Sequence, residues 1–237
     1  MSLTGKHILI IGGSSGIGYA TARRAIEAGA TVTIVGRRPE QVEAASVALG
    51  PSSSGLNCDV SDPEQLRVVA QQLGKIHHIF YTPGPFLVDP SLNLDDSSLR
   101  EGMEIRFWAV VTLLKLLMPK LQENGSVILM SGTANWRPEG SPVALATLGA
   151  VETFVRAMAV THAPTRFNAI APGLTNTPFL KTFFGENYET HLEQLAQMVP
   201  LKRFGHPDEI AHAAIFLMSN TFVNGITLTM DGGARLV

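Results

Sequence analysis

The chain carries one cysteine, Cys58, among 237 residues, so no intrachain disulfide can form. Charge is also sparse. Charged residues make up 16% of the chain, net charge is −2, and no block of one sign occurs. That composition lacks the footprint of a protein that binds nucleic acid or an anionic membrane surface. Long apolar runs are missing too. The longest candidate, AVVTLLKLLMP, is short and carries Lys115, so no membrane span is expected. The opening MSLTGKHILIIGG lacks the long apolar run and small-residue cleavage site of a secretory signal. These absences together lead us to expect a soluble cytoplasmic protein. What is abundant is apolar: 45% of residues, enough for a compact core in a chain of this length.

Apolar runs of strand length alternate with helical patterns. HILIIG (7–12), TVTIVG (31–36), HHIFYT (77–82), SVILMS (126–131), RFNAIAPG (166–173) and ITLTMDGG (226–233) read as strands. GPSSSG (50–55) reads as a loop leading to LNCDV. Helices are expected after the first strand, ended by Gly29, and at 39–48, 63–73, about 98–121, about 143–161 and 207–219. Segments 83–98 and 132–142 read as loops, and 174–200 as an insertion. The strands are nearly continuous in apolar residues, as strands covered on both faces are. Strand–helix alternation without repeat or linker predicts one α/β domain over 1–237: a doubly wound parallel sheet with helices on both faces.

GGSSGIG (12–18) follows the first strand and opens the first helix. Gly12, Gly16 and Gly18 allow a tight turn and close approach of backbone to a diphosphate, with Ser14, Ser15 and Ile17 between them. The helix N-terminus behind them supplies free N–H groups. A strand–turn–helix context makes this a dinucleotide site of Rossmann type. A second reading uses the same residues: GGSSG also fits G-x-S-x-G, the turn that carries a hydrolase nucleophile, here Ser14. It needs a later histidine, and His206 and His212 are the candidates. The second strand ends in Gly36-Arg37-Arg38, without the acidic residue that would accept hydrogen bonds from an adenosine ribose. Arg37 and Arg38 suit a 2′-phosphate instead, which favours NADP(H) over NAD(H).

At this point the sequence resembles the short-chain dehydrogenase/reductase family over nearly its whole length. IGGSSGIG is similar to that family's cofactor turn, and Asp59-Val60 to its adenine-contacting pair. NAIAPGLTNTPF (168–179) is similar to the segment that meets the nicotinamide, which implies roles for Pro172, Gly173, Thr175 and Thr177. PLKRFGHPDEIAHAAIFLMSN and ITLTMDGG resemble its last helix and strand. The resemblance also implies a catalytic serine, tyrosine, lysine and asparagine. Ser131 matches the serine, but the tyrosine falls on Ala144, the lysine on Leu148 and the asparagine on Arg106. The family's Asn-Asn-Ala-Gly turn falls on Tyr81-Thr82-Pro83-Gly84, which keeps only Gly84.

Without a positioned general acid, about 10²–10⁴-fold of rate is forgone. Ser131 is expected to hydrogen-bond a substrate oxygen, or else to turn the chain. Arg106 is expected to stabilise an oxyanion, or else to pair with an acid such as Glu101. Tyr81 is expected in the core, and the adjacent His77 and His78 in structural roles. Asn135, Trp136 and Arg137 follow Ser131 where substrate contacts would lie, and Phe179, Phe183 and Phe184 suggest an apolar lid. Three functions stay open: an NADP(H)-dependent oxidoreductase on a small carbonyl or activated C=C substrate, an inactive NADP(H)-binding pseudoenzyme, and a serine hydrolase. The resemblance further implies a homo-oligomer, tetramer or dimer, joined through roughly 98–121, 143–161 and 226–237.

Overall fold

A computed structural model describes residues 2–84, 92–136, 141–178, 180 and 188–237. Seven strands form one parallel sheet: β1 (His7–Ile11), β2 (Thr31–Gly36), β3 (Ser53–Asn57), β4 (Ile76–Tyr81), β5 (Leu121–Met130), β6 (Arg166–Pro172) and β7 (Thr227–Met230). Their order is β3-β2-β1-β4-β5-β6-β7. The chain winds outward from β1 in one direction through β3, then returns to β4 and winds the other way. The crevice between β1 and β4 is therefore the switch point, where ligands of such sheets bind.

Strand periodicity splits the core. Ile8 and Ile10 of β1 face α1 (Gly16–Glu27), α2 (Pro39–Leu49) and the later α8 (Pro207–Ser219), in a cluster with Ala22, Ala25, Val42, Ile210 and Ala214. Leu9 and Ile11 face the other way, towards α3 (Pro63–Gln72), α5 (Ala109–Leu117) and α6 (Pro142–Thr161), where Leu66, Val69, Leu113, Val151 and Val155 pack. Burying successive residues on opposite sheet faces is why the strands read as unbroken apolar runs.

Four readings of the sequence need correction. First, β3 begins at Ser53, inside the stretch read as loop; Ser53, Ser54 and Gly55 pair with Val32, Thr33 and Ile34. An edge strand exposed to water needs no apolar run. Second, the long helix is α4 (Asp96–Met103), a wider π-helical turn at Glu104–Trp108, then α5, with a 3₁₀ turn at Met118–Lys120. Third, the insertion contains a helix, α7 (Tyr188–Met198). Fourth, α6, at 20 residues, is long and apolar enough to cross a membrane by length and composition alone. Its Leu148, Val151, Val155 and Ala159 are instead buried in the protein.

Candidate active site

A cavity of about 840 Å³ opens at the C-terminal ends of the strands. Gly12, Ser14, Ser15, Gly16, Ile17 and Gly18 form its floor at the end of β1. Gly12 and Gly16 are left-handed, with φ of +82° and +53°, which a side chain would strain. Gly18 is needed for a different reason. A β-carbon there would lie 2.2 Å from the Gly12 carbonyl oxygen, so helix and turn could not approach as they do. Gly12 N–H and Gly13 N–H both donate to Val35 O, at 2.8 and 3.2 Å, tying the turn to β2. From β4, Thr82 Oγ1 donates to Ile11 O at 2.9 Å. Thr82 thus fastens β4 to the glycine turn.

Arg37 and Arg38 line the rim beside the end of β2, both exposed. Asn57 shapes this rim: its Nδ2 donates to Gly36 O and Arg37 O, at 3.1 and 2.8 Å. Asp59 and Val60 line the same side. Asp59 is held in a tight turn, with Ser61 N–H and Oγ both donating to its Oδ1. Cys58 lies on the wall, and burial pushes its thiol up to about 11, so it stays protonated at neutral pH.

Across the cavity lie Pro172, the last residue of β6, and Gly173, Thr175 and Thr177 after it. Gly173 N–H donates to Met230 O at 2.9 Å, and Thr175 Oγ1 donates to Gly173 O at 3.0 Å. Thr177 lies opposite Gly16, its methyl 3.4 Å from where a Gly16 β-carbon would sit. This segment therefore closes over the glycine turn.

Ser131, just past the end of β5, and Arg106, in the π-helical turn, line the same cavity as Ala144, Leu145 and Leu148 of α6. A π turn in a helix often marks a site, because it redirects side chains. Here it aims Arg106 at Gly84, so closely that a β-carbon on Gly84 would lie 2.3 Å from the guanidinium carbon. Burial lowers the Arg106 guanidinium to about 10, with Tyr81 opposing the shift. It keeps its charge at neutral pH, so it can stabilise an oxyanion but cannot give up a proton readily. Ser131 Oγ donates to Glu152 Oε1 at 2.7 Å, and both residues are buried.

All seventeen residues expected in catalysis or cofactor binding line this one cavity. Tyr81 is in the core, with its hydroxyl donating to Ile105 O and burial pushing its ionisation well above the usual range. His78 is also buried against Ser126, 2.8 Å from Nδ1 to Oγ, and burial lowers it to about 3. His77 Nδ1 accepts from His7 N–H. His206, offered as a hydrolase partner for Ser14, caps α8 by accepting from Asp208 N–H, and His212 lines a separate small depression with Arg24 and Glu27. No hydrogen bond joins Ser14 to a histidine among the described residues. The side chains of Asn135 and Trp136, and all of Arg137, Phe179, Phe183 and Phe184, lie outside the described residues. The sequence reading missed Glu152, Asn57, Thr82 and Ser141. Only Glu152 left a signal: it is the one acid, at i+4 from Leu148, in a mostly apolar helix.

A parallel, doubly wound sheet with a glycine turn at its switch point is the architecture of the dinucleotide-binding Rossmann class. Residues 12–235 match the family model described as enoyl-(acyl carrier protein) reductase. The chain belongs to the short-chain dehydrogenase/reductase family. It is 31% identical to the short-chain dehydrogenase/reductase malC of Malbranchea aurantiaca, covering 99% of this chain and 96% of that one. It is 30% identical to the 3-oxoacyl-[acyl-carrier-protein] reductase of Bos taurus, covering 98% of each. Among solved structures, the MalC reductase/Diels-Alderase superposes with a TM-score of 0.92 at 30% identity, covering 99% of this chain and 98% of that one. An NADPH-bound short-chain oxidoreductase of Pseudomonas aeruginosa PAO1, described as containing an atypical catalytic center, superposes with a TM-score of 0.90 at 28% identity, covering 98% and 97%.

Proposed function

We propose that the protein is an NADP(H)-dependent oxidoreductase with an altered catalytic site, acting on a small carbonyl or activated C=C substrate. The observation that carries the cofactor choice is the rim of β2. Arg37 and Arg38 are exposed on it, Asn57 holds its backbone, and no carboxylate ends the strand. A dinucleotide would lie with its diphosphate on residues 12–18, its 2′-phosphate at Arg37 and Arg38, its adenine at Asp59 and Val60, and its nicotinamide between Gly84 and residues 172–177. Bound there, the reduced nicotinamide supplies hydride.

The substrate end of the cavity is walled by Ala144, Leu145, Leu148, Leu174, Leu180 and Val199. Such walls suit an apolar body, with the reacting oxygen towards Arg106 and Ser131. Ala144 and Leu148 stand in place of the family's tyrosine and lysine, so carbonyl reduction proceeds without that acid. The same substitution favours a second reading, an NADP(H)-binding pseudoenzyme serving as sensor or oligomer subunit.

Calorimetric titration with NADPH and NADH, on wild type and Arg37→Ala, tests the cofactor assignment. A charge-assisted phosphate contact of about 1.5–3 kcal/mol makes the expected loss tenfold or more for NADPH and small for NADH. Equal affinity for both cofactors in the wild type would remove the NADP(H) assignment. Oxidation of NADPH with phenanthrenequinone or crotonyl-CoA then separates enzyme from pseudoenzyme.

A further inference from the structure

We propose that Glu152 is the inner end of a proton path whose outer end is Ser131, the hydroxyl that touches the substrate oxygen. The proposal rests on the oxidoreductase reading above. Its starting point is geometric. Ser131 lines the cavity at the end of β5, and its Oγ–H is given to Glu152 Oε1 at 2.7 Å. Ser131 is 4% exposed and Glu152 is 7% exposed. A buried carboxyl aimed at a cavity serine is costly unless it is used, and among the described residues Glu152 makes no ion pair that would explain it.

The other groups near the reacting end cannot move a proton at neutral pH. Arg106 stays charged. Tyr81 is in the core with its hydroxyl committed to Ile105 O. Ser141 Oγ is buried and has no hydrogen-bond partner, so it has no proton source behind it. Glu101 lines the wall, but it is exposed and makes no hydrogen bond to another cavity-lining group among the described residues. Ser131–Glu152 is the pair in which a cavity hydroxyl is joined to a titratable group.

The step balances in either direction, with the hydride equivalent exchanged with the nicotinamide dinucleotide of the proposed function. In oxidation, the alcohol O–H bond breaks to Ser131 Oγ while the Ser131 O–H bond breaks to Glu152 Oε1. In reduction both transfers reverse: Ser131 gives its proton to the substrate oxygen and takes one from the acid form of Glu152. Glu152 then exchanges with water through its remaining exposure. Glu152 is a positioning residue in this scheme, since it acts through Ser131 and does not line the cavity.

The test compares wild type, Ser131→Ala, Glu152→Gln and the double variant, with NADPH and phenanthrenequinone. Glutamine keeps the shape and a hydrogen bond but cannot exchange the proton. The expected loss in kcat for Glu152→Gln is about 100-fold or more, with KM and NADPH affinity within about twofold of wild type. The double variant should be no slower than the slower single, because one path is cut once. A readout without turnover accompanies this: urea denaturation of the cofactor-free proteins, where the two substitutions should be non-additive in stability. If Glu152→Gln keeps more than half of wild-type kcat, or if the two losses multiply, the path is overturned and the oxidoreductase reading stands. If the wild type binds NADPH yet turns over neither the quinone nor crotonyl-CoA, both fall together.

Discussion

Ser131 has one hydroxyl proton, and Glu152 holds it. At the residue scale this makes the two side chains unequal partners to remove. Ser131→Ala leaves a carboxyl buried without its hydrogen bond, and the expected cost is about 1–3 kcal/mol of unfolding free energy. Removing both partners, as Ser131→Ala with Glu152→Leu, should recover most of that loss, because the desolvated group is gone too. Urea denaturation of the three proteins checks this; an equal loss in single and double variants would count against it. Most of the cofactor-side residues that line the cavity were legible because they lie in segments whose backbone course is fixed: a glycine turn, a strand end, a Pro-Gly step. Glu152 was not. Its partner lies 21 residues earlier on another element, and nothing in either local pattern names the other.

At the scale of elements, helix ends show where local sequence decides structure and where it does not. Helix α8 begins with a capping box: His206 accepts from the Asp208 N–H, and Glu209 Oε2 accepts from the His206 N–H at 2.8 Å. Arg203, bonded to both Glu209 oxygens, and then the His206 N–H hold that carboxyl down to about 2, from an ordinary 4.5. A lowered folded-state value means the stabilisation is complete above about 4.5 and lost as pH falls through about 2. The side chain is 42% exposed, so solvent screens the effect and it is small. Wild type should therefore exceed Glu209→Gln in urea midpoint at neutral pH, and the gap should close between pH 4.5 and 2. A gap that widened on acidification would reverse the assignment.

Helix α6 begins differently. Ser141 occupies its N-cap, yet makes no side-chain capping bond, and its buried Oγ has no partner. Serine-to-alanine at a working cap costs about 1 kcal/mol. Ser141→Ala should instead leave Tm unchanged or raise it, because a buried hydroxyl without a partner is removed. A clear fall in Tm by calorimetry would show that the hydroxyl serves as a cap after all. Sequence periodicity found the existence and type of most elements here, because their core faces repeat. It misplaced the start of β3, where water covers one edge, and missed the π turn, where a wider helix keeps the same residues but changes where Arg106 points.

At the scale of the whole molecule, α6 poses a packing problem. Its 20 residues are mostly apolar, with Glu152 and Arg156 its only charges, yet only about a third of its apolar stretch is buried within the chain. The covered face carries Leu148, Val151, Val155 and Ala159. The opposite side presents Ala146, Thr153, Arg156, Ala157 and Val160 to solvent, with Val160 80% exposed and Arg156 donating to Thr153 Oγ1. Trp108, at the end of the π turn, is likewise exposed, and Ile226, Leu236 and Val237 are exposed around the last strand. Apolar residues left exposed along one helix are a common mark of a face that is covered by another surface. We propose that a second copy covers it, small residues on α6 letting the two helices approach closely. Sedimentation should then give a mass at least twice the 25.4 kDa of one chain. Ala157→Arg places a charge on the solvent side of α6, away from the cavity and the core. It should shift the species towards monomer while NADPH affinity holds, since no cavity-lining residue is touched. A wild type that sediments as a monomer at micromolar concentration would leave the apolar face of α6 to some other cover, and would remove self-association as the reason for its composition.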